Sequence, residues 1–483
     1  MIEPLRNAAR AELARRHFTA FQQRMDPTYE RARHLDLLAE HLEAIERRDI
    51  DNLIVAMPPR HGKSRGLAQD FPAWAIGRNP KCQIIIASYG AALAEQHSRR
   101  AREICNDERY PFDVQIDDAS RAADRWATTR GGLVRAAGIG GSLTGFGADF
   151  LLVDDAVADL EAAESALIRE STWGWWSTVA RTRLMPKAAQ IVCGTRWHED
   201  DLIGRIMSSP GASRWTLLIL PAIAEDNDLL GREPGEALWP ERYPVSSYPS
   251  VADGEMSSRQ FEALYQQRPA PAAGALFKRS WFEHRSAGGI PRNVIHTRLN
   301  AYTSVDSPSP VAVVIAVDAA AKTGIHNDYS AIATIACDAS GYYIVDIIRE
   351  RLEFADLLRR IEEANAKWAP SHVFIEEASS GIPIVQELKR ATRLPVVGVP
   401  PKGSKIARAE SVTPWFESGN VRLPHTAPWI ATFVDEICAF PVGRNDDMVD
   451  AVVLGLQMSD RVYESSEALR HTNNELRPLW MER

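Results

Sequence analysis

The sequence predicts an α/β protein of two domains, the first built on a largely parallel sheet and the second on a mixed one. Three observations predict it. Residues 52–64 read NLIVAMPPRHGKS, a short apolar strand that closes through a loop into a helix-permissive run. From 52 to 220, apolar strand-like runs alternate with helical ones, as in an open parallel sheet covered by helices. From 311 onward, three apolar runs joined by turn residues precede alternating helices and strands, which fits antiparallel strands extended into a mixed sheet. At 483 residues the chain also exceeds what one ordinary core holds.

Composition is that of ordinary globular protein, 45% hydrophobic and 25% charged. No apolar run reaches bilayer length, and the first residues lack the apolar core of a signal peptide, so a cytoplasmic chain is expected. Five scattered cysteines without CxxC spacing are expected to be reduced and mostly buried, forming neither disulfides nor a zinc site. The net charge of −8 excludes a uniformly basic nucleic-acid coat. It leaves room for a local basic groove, and an acidic cluster built to hold metal would lower the total.

Residues 1–50 read as helices over 4–24 and 29–48, broken at Asp26-Pro27. Leu35, Leu38, Leu42 and Ile45 share one face, which packs on the domain that follows; the alternative is that residues 29–34 touch the base of a nucleotide. Strands are expected at 53–56, 83–88, 150–153, 190–193 and 215–220. After the first strand, PPRHGKS reads as a phosphate-binding loop. Met57 stands where such loops begin with Gly, and Pro58 and Pro59 offer no N–H, so the cradle rests on Arg60, His61, Gly62, Lys63 and Ser64. Lys63 would reach the β- and γ-phosphates and Ser64 would ligate Mg²⁺. The strand 150–153 ends in Asp154 and Asp155, where open sheets bind ligands. Asp154 is expected to hold the Mg²⁺ and Asp155 to orient or deprotonate the attacking water; the alternative is a helix cap. Gly194, Thr195 and Arg196 end another strand and are read either as a γ-phosphate sensor or as a turn with Thr as N-cap. A glycine-rich loop is expected over 136–147, and Arg135 at its edge is a candidate arginine finger. Trp173, Trp175 and Trp176 either stack on bases or pack between domains.

Residues 221–290 are rich in Pro, Gly and acids and read as an irregular connector, with a hinge near 269–274. In the second domain strands are expected at 311–317, 330–337 and 342–349, a helix at 353–368, a strand ending in Glu376 and Glu377, a helix at 382–392 and a strand at 395–399. A last helix starts at NDDMVDA, with Asp446 at its start, Asp447 and Asp450 on one face, and Val449, Val452, Val453 and Leu456 toward the sheet. Asp318, Glu376 and this Asp-rich start are three acidic centres on separate elements, as a two-metal phosphodiesterase needs, with hard oxygen ligands suited to Mg²⁺ or Mn²⁺. Each acid taken singly reads as well as a cap or a solvated residue. Asp328 in the first turn assists the metals or shapes the turn. Lys402, Lys405 and Arg408 either contact DNA phosphates beside the metals or form a solvated helix start. The end of the chain, 461–483, reads as a polar tail.

Taken together these motifs resemble the large subunit of tailed-bacteriophage terminases. PPRHGKS is similar to the family's modified phosphate loop, LLVDD to its Walker B strand and CGTRW to its coupling motif. GREPGEALWPER with YQQRP resembles its connector, and VDAAAKTGIHNDYSA, IEEASSG and NDDMVDA resemble the acidic motifs of its ribonuclease H-like nuclease domain. The resemblance implies N-terminal helices over 1–50, a P-loop ATPase with connector over 51–268, a linker over 269–310, a ribonuclease H-like nuclease over 311–460 and the tail. It implies ATP-driven translocation of double-stranded DNA into a prohead and endonucleolytic cutting of concatemers. ATP with Mg²⁺ and two Mg²⁺ or Mn²⁺ would serve as cofactors. A prohead portal, a small subunit and further copies in a docked ring would be the partners, in the host cytoplasm and away from membranes. Catalytic roles fall by that resemblance on Asp155, Asp318, Glu376 and Asp447, with metal ligation by Ser64, Asp154, Asp318, Glu376, Asp446, Asp447 and Asp450. Many members carry Glu where this chain has Asp155, one methylene shorter. Glu376 is preferred to Glu377 because it matches the first acid of the family's pattern, and strand alternation lets only one of the two face the ions. The rival readings are a non-cutting nucleotide-binding assembly factor and a repair-type helicase-nuclease.

Overall fold

A computed structural model of the chain describes residues 2–269, 276–283, 312–319, 329–339, 341–378, 380–424, 427–443 and 445–475. Asp328, most of the expected hinge at 269–274 and most of the linker at 269–310 lie outside them. The chain divides into two compact units, 1–249 with 258–271 and 250–257 with 272–483. Among the described residues no helix is long and apolar enough to cross a membrane. All five cysteines are free; four are buried and Cys438 is half-buried.

The first unit is built on eight strands: β1 (Asn52–Ala56), β2 (Gln83–Ser88), β3 (Ile116–Arg121), β4 (Arg125–Thr128), β5 (Leu133–Gly138), β6 (Ala148–Asp154), β7 (Leu184–Gly194) and β8 (Thr216–Ile219). Their order is β3-β4-β5-β2-β6-β7-β1-β8, with β4 antiparallel to β5 and to β3, and every pair from β5 to β8 parallel. Strands covered on both faces need continuous apolar runs. Ile84–Ile85–Ile86, Leu151–Leu152–Val153 and Ile191–Val192–Cys193 supply them, all fully buried. The edge pair β3 and β4 and the strand β5 were not expected. The stretch 136–138, read as the start of a glycine-rich loop, belongs to β5 with Ala136 and Ala137 buried, which shortens the loop to 139–147.

Three helices, Ile2–Arg16, Phe18–Met25 and Arg33–Arg47, precede the sheet. Leu35, Leu38, Leu42 and Ile45 are buried, and the last three join the core of β1 and β2. Arg65, just past the loop that follows β1, pairs with Asp26 (2.7 Å) and lies over the Tyr29 ring, while Asp70 accepts from Gln22 (2.8 Å), so these helices brace the loop's exit. Trp175 and Trp176 are core residues of this unit with Trp173 packed beside them, and Trp175 Nε1 donates to Gly141 O (3.0 Å). Their packing is internal to the unit, not the interdomain packing expected.

The second unit holds β9 (Ala312–Asp318), β10 (Ser330–Asp338), β11 (Gly341–Glu350), β12 (His372–Glu376), β13 (Val396–Val399) and β14 (Val421–Arg422) in the order β13-β12-β9-β10-β11-β14. β9, β10 and β11 are antiparallel, while β12 runs parallel to β9 and to β13, giving a mixed sheet. Alternation divides β9 between two cores. Ile315 and Val317 face the helices Phe354–Trp368 and Gly381–Ala391, whereas Val314 and Ala316 face the helix Asp447–Glu475. Val449, Val452, Val453 and Leu456 of that helix are buried as expected, each contributing about 1.5–3 kcal/mol if fully desolvated. Gly455 permits the approach, since a Cβ there would sit 2.6 Å from Ile335 Cγ1. The helix continues to Glu475, so the polar tail expected from 461 begins as its last turns.

Candidate active sites

In the first unit β1 lies between β7 and β8, and β6 lies beyond β7, so the C-terminal ends of β1, β6 and β7 are neighbours. The loop after β1 is shaped by left-handed residues, Arg60 (φ +63°) and Gly62 (φ +87°). A side chain at Gly62 would also meet Leu35 Cδ2 at 2.8 Å, so glycine is required there on two grounds. Met57, in place of the usual first glycine, is fully buried in the core.

The loop delivers Lys63 and Ser64 to the acids. Lys63 Nζ donates to Thr195 Oγ1 (3.0 Å) and lies 3.9 Å from Asp155 Oδ1; Ser64 Oγ donates to Asp154 Oδ1 (3.1 Å). Asp155 is itself left-handed (φ +48°), a strained conformation for a residue with a Cβ. Its N–H donates to Cys193 O (2.9 Å) and its carboxylate accepts from Thr195 N–H (3.3 Å). Burial raises the Asp155 carboxyl above the usual range, Lys63 opposes that and Asp154 adds to it. His97, from the helix Ala91–Cys105, brings Nε2 to 3.1 Å from Asp154 Oδ2, off the line of a good hydrogen bond. Asp154 Oδ2 is therefore a buried acceptor without a hydrogen bond. Gln69 Nε2 fixes the ring through His97 Nδ1 (3.1 Å). Sequence reasoning missed His97 and Gln69, which carry no local motif.

Other expected residues are engaged elsewhere. Arg196 is buried in an ion pair with Asp201 (2.8 Å), and its N–H donates to Gln267 Oε1 (3.2 Å), so Thr195 and not Arg196 meets Lys63. Arg135 is paired with Asp124 and stacked on Phe146, 5.2 Å from the ring centroid. Arg60 is exposed. The His61 side chain turns into an aromatic cage: Nδ1 meets Pro59 O (2.8 Å), Nε2 meets Tyr248 Oη (3.4 Å), and Tyr243 lies 4.9 Å away. His34 Nε2 donates to His61 O (3.1 Å) and its ring packs on Trp239. His61 can thus serve a phosphate through its backbone N–H only.

Burial pushes His34 and His61 down to about 4. Both are neutral in the fold, while an unfolded chain protonates its histidines below about 6.5. The contribution of the two histidines to stability is therefore level above pH 6.5 and falls as pH drops toward 4, by up to about 3 kcal/mol per histidine. Thermal melts between pH 7 and 4 check this, and His34→Gln is expected to flatten the slope.

In the second unit register builds the acidic centre. β12 pairs with β9 up to Ile375 opposite Val317, so Glu376 stands one step on, beside Asp318. Val314 and Ala316 place Asp318 on the face covered by the Asp447–Glu475 helix, and Phe374 places Glu376 there too. Desolvation raises the Asp318 carboxyl to about 8, with Asp450, Glu376 and Asp447 adding to the rise and Lys405 opposing it. Asp450 is the strongest of these charged neighbours. Burial likewise raises Asp450 against the pull of Lys405, and Asp447 against that of Arg349. Asp447 is held by Arg349 (3.4 Å), which also meets Glu436 (3.5 Å). Glu436 Oε1 accepts from the N–H of Met448 (2.7 Å), closing the start of the Asp447–Glu475 helix. Of the helix acids, Asp450 thus weighs more on the Asp318 carboxyl, while Asp447 is tied to Arg349. Glu436 and Arg349 were missed because nothing near them in the chain marks them.

Glu377 turns the other way, so close to Gly398 that a Cβ there would lie 2.0 Å from its Oε1. Arg408 Nη1 meets Glu376 Oε2 (2.7 Å), and Lys405 Nζ meets Asp446 (2.7 Å) and Asp450 (2.5 Å). Lys402 is exposed on a nearby cleft wall. With these cations among the acids, no three carboxylate, imidazole or thiol groups converge closely enough to hold an ion among the described residues. The donor set is nevertheless all oxygen, and the repulsion felt at Asp318 is what a divalent cation relieves, so the residues fit such an ion. At Gly381 a Cβ would lie 1.9 Å from Glu376 O. Gly381→Ala is expected to cost about 1–3 kcal/mol in thermal unfolding by overpacking.

Residues 54–284 match the family model described as terminase large subunit, T4likevirus-type, N-terminal, and residues 315–459 match the terminase RNaseH-like domain. No curated protein matches the chain. Similar solved structures include the large terminase of a thermophilic bacteriophage, at 11% identity over 88% of this chain and 98% of that one, with a TM-score of 0.49. The HK97 bacteriophage large terminase is 14% identical over 86% and 94%, with a TM-score of 0.31. The large terminase nuclease of the thermophilic phage G20c with bound magnesium is 18% identical over 39% and 98%, with a TM-score of 0.29.

Proposed function

We propose, of a chain that belongs to the terminase large-subunit family, that its first unit hydrolyses ATP to drive double-stranded DNA into a prohead and that its second cuts concatemeric DNA. The observation that carries the motor reading is the gathering of Lys63, Ser64, Asp154 and Asp155 at the ends of β1 and β6, with Asp154 Oδ2 left as a buried acceptor. Lys63 neutralises the terminal phosphates, and Ser64 and Asp154 hold the nucleotide's Mg²⁺. Asp155, wedged between Lys63 and the Thr195 N–H, orients the attacking water. Loss of the γ-phosphate changes what Lys63 and Thr195 grip, and Gly194–Thr195 at the end of β7 carry that change outward.

In the second unit Asp318, Glu376 and Asp450 present the oxygen ligands, with Asp446 and Asp447 flanking them. A divalent pair bound there supplies activation of water and neutralisation of the leaving oxygen. Lys402, Lys405 and Arg408 face the strand being cut. The reading extends to a prohead portal and a small subunit as partners, to a ring of copies when docked, and to the host cytoplasm as its place of work. ATP hydrolysis and Mn²⁺-dependent plasmid nicking by wild type, beside Asp318→Asn, test it. Nicking by wild type alone supports the two-function reading. Equal inactivity of both proteins would favour a non-cutting assembly factor. Hydrolysis stimulated by DNA and indifferent to portal would favour a repair-type helicase-nuclease.

A further inference from the structure

We propose that Lys405 and Arg408 are exchangeable counter-ions: they hold the acids of the second unit while no divalent ion is present, and turn to DNA phosphates once ions replace them. The proposal rests on the reading of Asp318, Glu376 and Asp450 as a metal site. Its consequence is reciprocal, because any coupling that makes metal favour DNA must make DNA favour metal to the same degree.

Both cations come from the first turn of one helix, Lys405–Ser418, whose start is fixed by Ser404 Oγ accepting from Ala407 N–H (3.1 Å). Three residues apart, they project on the same side. Lys405 spans Asp446 and Asp450 at 2.7 and 2.5 Å, while Arg408 grips Glu376 at 2.7 Å. Together they place two positive charges among the acids, the charge of one divalent cation. Each also has somewhere to go. The Lys405 side chain is 50% exposed on a four-carbon stem, free to swing outward. Arg408 touches Glu376 on one side and on the other lines a cleft of about 640 Å³. Its Nε is a buried donor without a hydrogen bond. Lys402 and Arg461 also line that cleft, where the one other charged group besides Glu376 is Asp460, which accepts from Tyr342 Oη (2.5 Å). A cleft with three cations suits a phosphate chain, and an arginine with an unused donor suits its oxygens. Drawing Lys405 and Arg408 toward phosphates bares the carboxylates for metal, and metal releases the cations for phosphates.

The test is calorimetric titration of the full chain with Ca²⁺, which shares the oxygen-ligand chemistry and supports little cleavage, with and without a short DNA duplex. Without DNA, Lys405→Met is expected to bind Ca²⁺ roughly tenfold more tightly than wild type, because no ammonium competes for Asp450. DNA is expected to tighten Ca²⁺ binding by wild type and to do so less in the variant. Equal or weaker Ca²⁺ binding by a folded Lys405→Met overturns the proposal. Should that variant unfold, Arg408→Met, freeing Glu376, carries the same expectation and the same refutation. Asp318→Asn separates the two levels. If it binds Ca²⁺ as wild type does, the metal-site reading fails; if it does not, and Lys405→Met matches wild type, the counter-ion role alone fails.

Discussion

Lys63→Ala is expected to lower ATP turnover by roughly 10²–10³-fold, the loss seen when one preorganised charge donor leaves a reacting centre. The Lys63 ammonium is buried and, among the described residues, donates to Thr195 and lies beside Asp155. Its removal therefore deletes the positive charge proposed to meet the terminal phosphates and little else that holds the fold. Thr195→Val should lose less, since the lysine keeps its charge and forfeits a single hydrogen bond. Arg196→Ala should fail differently. It strips Asp201 of its buried partner, and breaking such a pair costs about 3–5 kcal/mol. Phosphate release measured beside thermal melts separates these cases: lost turnover with an unchanged melt for Lys63→Ala, a lowered melt for Arg196→Ala. Normal turnover by Lys63→Ala would remove the loop from the chemistry.

What could be read from the chain, and what could not, follows from how each residue finds its partners. The central strands were legible because burial on both faces demands unbroken apolar runs, and Ile84–Ile86 and Leu151–Val153 are such runs. β3, β4 and β5 were not. They are short and interrupted by Arg121, Arg125 and Arg135, and their pairing is settled across the sheet. Acids that end strands, Asp154, Asp318 and Glu376, announced themselves by position. Their supports did not: His97 meets Asp154 from the helix that follows β2, and Glu436 reaches the Asp447 helix from the helix before it. Alternation says only that the two glutamates part, and they do: Glu376 meets Arg408 while Glu377 lies on Gly398.

Asp318→Asn is expected to abolish Mn²⁺-dependent nicking, a fall of at least about 10²-fold, with ATP turnover unchanged because the two centres lie in separate compact units. The sharper comparison is between the helix acids. Helical periodicity puts Asp447 and Asp450 on one face, and nothing in the chain ranks them. Seating the helix does, because Gly455 lets it settle against Ile335 and Glu436 fixes its first turn. So seated, Asp450 becomes the dominant charged neighbour of Asp318, and Asp447 is tied to Arg349. Asp450→Asn should thus approach the loss of Asp318→Asn. Asp447→Asn should lose less in cutting and be felt more in the melting temperature, through Arg349 and Glu436. Nicking rates and melts of the three variants side by side decide it. If Asp447→Asn proved the deader nuclease with an unaltered melt, the ranking of the two helix acids would be reversed, and Asp447 would be the acid that serves the cut.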